Sequence, residues 1–168
     1  MPERLADFFA AGGVLLHALA LVSVLLWTLI LERYWFYYRI YPARVRRWIE
    51  EWRTRSERAS WFAHRIREAV ISAARLQLEH SVPVIRTLIA LCPLMGVLGT
   101  VTGMIEVFEV IAVKGTGDAK AMAGGVARAT IPTMAGMVVA LSGLYFASRL
   151  KQLAARETER LADEMSFT

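Results

Sequence analysis

Three stretches of this chain carry no charged side chain: Gly12–Leu31, Thr87–Ile105 and Ala129–Ser148, of 20, 19 and 20 residues. About 20 apolar residues wound as a helix cross a hydrocarbon layer about 30 Å thick. A helix also satisfies its own backbone hydrogen bonds, which lipid cannot do for it. The runs therefore predict an all-α integral membrane protein with three transmembrane helices. The chain is 56% hydrophobic and still 21% charged, a combination that requires the charges to be confined between the runs. The first run does not read as a cleaved signal peptide. Its basic residues follow it, in ERYWFYYRIYPARVRR, instead of preceding it.

Charge bias sets the expected orientation. Glu32–Arg86 holds 12 arginines and Arg149–Thr168 four basic residues, against Arg4, Lys114, Lys120 and Arg128 elsewhere. Basic residues stay on the cytoplasmic side, so the long loop and the C-terminus are expected inside and the N-terminus and short loop outside. The net charge of +5 is then accounted for by topology and attraction to an anionic lipid bilayer, with no nucleic acid partner. Cys92 is the single cysteine, and His17, His64 and His80 share no ligand spacing. No metal and no cofactor is expected, and without a nucleophile–base pair the chain does not read as an enzyme.

Between the first two runs, Tyr34–Tyr38 and Tyr41 form an aromatic belt of the kind found at headgroup level. The charged stretch from Ala43 to Ser81 has Arg46/Glu50 and Arg47/Glu51 at i,i+4 spacing. An apolar stripe through Trp48, Ile49, Trp52, Trp61, Phe62, Ile66, Val70 and Ile71 follows a helical period. A helical hairpin that packs on itself and on extensions of the spans is expected, broken near Ser56–Ser60 with a serine N-cap; a docking surface for a partner is the other reading. The tail beyond Arg149 mixes Arg and Glu at helical spacing and continues the third helix.

The second and third runs are rich in small residues: Gly96, Gly99 and Gly103 in one, Gly136, Ala140 and Gly143 in the other. Helices in lipid associate through close backbone approach at such positions. Both runs are therefore built to touch other helices, whereas the Leu/Val-rich first run faces lipid. With Gly117 taken as the turn, Thr100 and Thr133 lie 17 residues before and 16 after it, at nearly one depth in mid-membrane. Two hydroxyls there suggest a polar lining. Glu106 and Arg128 each lie 11 residues from Gly117 and suit an ion pair toward the outer end, with Glu109 the second choice.

The segments CPLMGVLGTVTGMIEVF and GGVARATIPTMAGMVVAL resemble the core of the MotA/TolQ/ExbB proton-channel family. The likeness covers about residues 83–150 and is strongest to the ExbB branch, in its forms serving a second TonB system. It implies a homo-oligomer, a pentameric collar, in the bacterial inner membrane, with the second and third spans around a pore. An ExbD-like single-span subunit inside the pore supplies a protonatable Asp. A TonB-like protein carries the motion to outer-membrane receptors for siderophores, haem or vitamin B12. Thr100 and Thr133 match the family's two membrane threonines, which help line the proton path. Many relatives have Glu where Arg128 stands, so no acidic role is carried to that position. The expected division is a periplasmic tail at 1–11, spans at 12–33, 83–113 and 123–148, a cytoplasmic helical region at 34–82, a periplasmic loop at 114–122 and a cytoplasmic C-terminal helix at 149–168. A TolQ-like or MotA-like motor subunit, or a passive membrane scaffold, are the other readings.

Overall fold

The structure, a computed structural model, describes residues 2–55, 60–114 and 119–166, with side chains over 12–55, 60–113 and 122–166. Five α-helices follow in order: α1 (Pro2–Trp35), α2 (Tyr41–Arg53), α3 (Trp61–Glu79), α4 (Val82–Lys114) and α5 (Ala119–Glu164), with a π-helical turn, Phe36–Ile40, joining α1 to α2. Among the described residues there is no strand. Three helical stretches among the described residues are long and apolar enough to cross a membrane, so the all-α, three-span reading holds and the chain is a multi-pass membrane protein. The turn expected at Gly117 and most of the break expected at Ser56–Ser60 lie outside the described residues. α5 has 46 residues, which at 1.5 Å each is ~69 Å. It runs unbroken from the third apolar run through the charged tail.

The chain divides into two compact units. The first comprises residues 1–27 and 86–144 and contains most of the apolar runs. Its core is built from Leu16, Leu19 and Cys92, with Val22, Met95, Ile131, Ala135, Val139 and Ala140 packed around them. α1 thus contributes buried leucines on one side while Val14, Leu21 and Val24 remain exposed on the other. A kink at Gly13 (φ 61°, ψ −158°) interrupts α1. Only glycine adopts such a conformation without steric cost.

The second unit comprises residues 28–85 and 145–168. α2, α3 and the end of α5 close around Ile49, Trp52, Ala63, Ala74, Leu161 and Met165, the expected hairpin packed on the extension of the third span. Four residues of the expected stripe do not join it, Ile66 and Ile71 being half-buried outside this cluster. Trp61 and Phe62 are exposed, because the inward face of α3 is set by Ala63, Val70 and Ala74, and the first two positions of the helix point away from that line. Ser60 is the N-cap of α3 with extended backbone but no side-chain capping bond. The ion pairs among the described residues are Arg65–Glu68, Arg75–Glu79 and Arg160–Glu164, so neither Arg46–Glu50 nor Arg47–Glu51 is formed. Arg67 instead donates to the carbonyls of Met165 (2.9 Å) and Ala162 (2.7 Å), satisfying carbonyl oxygens at the end of α5 that have no partner within the helix.

Two buried tyrosines tie this unit together. Tyr37 Oη donates to the Leu78 carbonyl at 2.9 Å, and Tyr41 Oη points at the Glu157 carbonyl, 3.5 Å away. Burial pushes both phenols up to about 12, since a phenolate there would lose its water.

Candidate functional site

The contact between α4 and α5 in the first unit is made almost backbone to backbone. A methyl group placed on Gly96 would lie 2.8 Å from Thr133 Cα and 3.0 Å from the Pro132 carbonyl oxygen. On Gly99 it would lie 2.5 Å from Pro132 Cβ, and on Gly103 2.5 Å from Ala129 Cβ. From the other side, a methyl on Gly136 would lie 2.5 Å from the Cys92 carbonyl oxygen. Gly125 meets Val107 in the same way. These pairs define one antiparallel register, with Cys92 opposite Gly136, Gly96 opposite Thr133, and Gly103 opposite Ala129. Such close approach lets polar groups on one helix reach the backbone of the next.

Thr133 does this. Its Oγ1 donates to the Gly96 carbonyl at 2.7 Å across the helix pair. Thr100 Oγ1 donates within its own helix, to the Val97 carbonyl at 2.7 Å. The two hydroxyls do not meet. Thr133 is level with Gly96, four residues or ~6 Å along α4 from Thr100. The α4–α5 register, invisible in a count from a supposed turn, makes the difference. Each hydroxyl is satisfied by a carbonyl, so neither is an orphan group in lipid.

Beside this contact lies a cleft of about 610 Å³ between α1, α4 and α5. Gly12 and Gly13 form its α1 wall; Thr102, Glu106, Met122 and Arg128 are among the other lining residues. The structure therefore brings Glu106 and Arg128 to one cleft. They form no ion pair within the chain, and Arg128 Nε donates to the Gly124 carbonyl at 3.3 Å. Glu109 is exposed outside the cleft lining. Sequence reasoning missed Thr102, which sits four residues before Glu106 on the same helical face and bonds back to Leu98 and Gly99. The i,i+4 spacing was the available signal. It also missed the Gly13 kink, for which the Gly12–Gly13 pair was the cue. Among the described residues no group of three His, Cys, Asp or Glu is placed to hold a metal.

Residues 39–163 match the MotA/TolQ/ExbB proton channel family. The chain belongs to that family. The matched segment takes in α2 to α5, and with them every element of the α4–α5 contact. Two cyanobacterial relatives from Synechocystis sp. carry the ExbB name. ExbB-like protein 1 is 31% identical over 95% of this chain and 75% of its own length. ExbB-like protein 3 is 34% identical over 43% of this chain and 35% of its own length. No solved structure matches. The glycine-packed pair thus brings the Thr133 hydroxyl to the Gly96 carbonyl and stands beside the cleft that Glu106 and Arg128 line.

Proposed function

We propose that this chain is an ExbB-like subunit of a proton-driven motor in the bacterial inner membrane, with its N-terminus periplasmic and its C-terminus cytoplasmic. Five copies surround a pore. An ExbD-like single-span subunit occupies the pore, and a TonB-like protein carries the motion to outer-membrane receptors for siderophore iron, haem or vitamin B12.

The observation that carries this reading is the polar content of the α4–α5 pair. The spans Thr87–Ile105 and Ala129–Ser148 hold no carboxylate and offer hydroxyls and carbonyls at mid-membrane. In this reading the carboxylate that loads and releases the proton belongs to the ExbD-like partner. Each elementary charge that crosses is worth about 2.3 kcal/mol per 100 mV, which the partner converts to motion against the collar. Thr100 and Thr133 lie along the proton path, Gly96, Gly99, Gly103 and Gly136 hold its walls in register, and Glu106 and Arg128 set the field at its outer end. The names of the Synechocystis relatives support the ExbB branch.

Deletion of the gene in its own host tests the branch. The expected result is loss of growth on a siderophore as sole iron source, restored by the intact gene. Normal growth on the siderophore with detergent sensitivity would assign a TolQ-like role, and with lost motility a MotA-like one. Normal behaviour in all three assays would leave a passive scaffold. Native mass spectrometry of the complex is expected to show five copies, and a monomer in several mild detergents would refute the collar.

A further inference from the structure

α3 ends at Glu79 and α4 begins at Val82, leaving His80 and Ser81 as the break between them. Arg33, near the end of α1, grips this break. It is 5% exposed and its guanidinium donates to the Gln77 carbonyl (3.0 Å) and to Ser81 Oγ (2.6 Å), with a second contact to His80 Nδ1 at 3.3 Å. Its Nε has no partner and it forms no ion pair. A buried cation held by neutral acceptors, with its Cζ 5.3 Å from the centre of the Phe36 ring, is costly to keep and sensitive to what those acceptors do. Arginine has donors and no acceptor. Nδ1 of His80 accepts from Arg33 in the neutral ring that carries its proton on Nε2, and the same Nδ1 lies 3.5 Å from Ser81 Oγ.

His80 itself is exposed, so water delivers protons to it freely. The charged and titratable groups around it are few. Arg33 faces it from α1. Tyr37 bonds the Leu78 carbonyl from the π-helical turn, and Glu157 of α5 lies near that tyrosine. Arg44 of α2 is bonded to Gln77 Oε1 at 2.9 Å. Glu79, beside it on α3, is paired with Arg75. The first turn of α4, Val82–Ile85, has none. The nearest carboxylates are Glu79, held by Arg75 in an exposed pair, and Glu157, and neither is bonded to Arg33 or His80.

We infer that Arg33, His80 and Ser81 form a proton-sensitive latch that fastens the α3–α4 break to the end of α1 and releases when His80 protonates. Protonation puts a hydrogen on Nδ1, removes the acceptor and sets imidazolium against guanidinium at the present 3.3 Å. Arg33 then keeps only its bonds to Gln77 and Ser81. The facing π-helical turn, Phe36–Ile40, is the kind of irregularity that accommodates such a shift. The latch is a property of this chain alone, whichever machine of the family it drives. In a cell where residues 34–82 face the cytoplasm, it would loosen the foot of α4 as the cytoplasm acidifies.

Amide hydrogen exchange on the full chain in lipid nanodiscs tests this, read at roughly pH 7.5 and roughly pH 5.5, with intrinsic rates corrected. The Ile85 amide, bonded to the Ser81 carbonyl at 3.0 Å, and its neighbours from His80 onward are the reporters. Exchange there is expected to speed up roughly tenfold or more at the lower pH, the scale of one hydrogen bond to a charged group. His80→Gln, a surface change, is expected to abolish that response, and His64→Gln to leave it intact. No acceleration in the native chain, or an equal acceleration in His80→Gln, would overturn the latch. So would loss of the response in His64→Gln alone.

Discussion

Gly136→Ala puts the α4–α5 contact to its hardest test, because the obstacle is backbone. The added methyl would sit 2.5 Å from the Cys92 carbonyl oxygen and 3.2 Å from its carbon. Ordinary contact begins near 3.4 Å, so the helices must part locally by about 1 Å, and no side-chain rotation relieves it. Overpacking of this kind costs ~1–3 kcal/mol. Against that, alanine is a better helix former than glycine by about 1 kcal/mol. Gly124→Ala supplies the reference, since a methyl there meets nothing within 4 Å and only the propensity gain remains. The difference between the two variants isolates the packing cost. At about 2–4 °C per kcal/mol for a chain of this size, Gly136→Ala is expected to melt roughly 2–12 °C below Gly124→Ala. The assay is thermal unfolding of both proteins in one detergent, with oligomer content followed on native gels. Coincident melting curves would refute the proposed close approach at Cys92.

Four further outcomes are expected. Gly125→Ala should destabilise through its clash with Val107 Cγ2, and adding Val107→Ala should recover part of the loss, because Val107 Cβ would then be 3.6 Å away; a double-mutant cycle on melting temperature measures the coupling. Thr133→Val removes the bond to the Gly96 carbonyl and should lower stability by ~0.6–1.5 kcal/mol, with a smaller change for Thr100→Val, and both should reduce proton-coupled growth on a siderophore. Glu106→Arg and Arg128→Glu should each impair assembly or transport, and the double swap should recover part of it if the two residues pair between neighbouring copies; no recovery, with normal insertion, would refute the pairing. Tyr37 and Tyr41 have folded values raised above the ordinary phenol value of 10, so their contribution to stability is complete below pH 10 and is lost as the pH climbs to about 12; Tyr37→Phe should flatten that part of the alkaline denaturation curve.

The three spans were legible in the sequence because spanning is a property of local composition: twenty uncharged apolar residues leave a helix in lipid as the one solution. The charged continuation of α5 and the self-packed α2–α3 region were legible for a similar reason, their helical periodicity. What the sequence could not decide was register. Gly124 and Gly125 are adjacent and chemically identical, yet one faces open space and the other the Val107 side chain. Thr133 reads the same whether its hydroxyl bonds its own helix or Gly96 on α4; only the packed pair selects Gly96. Among the described arginines between Glu32 and Arg86, nothing local marks Arg33 as the buried one. Trp61 and Phe62 have the hydrophobicity of core residues, and they stay exposed because Ala63 and Ala74 take the inward face of α3. Composition determined which segments leave water. Which side chain meets which was decided by interhelical contacts between residues far apart in sequence, whose geometry no single segment contains.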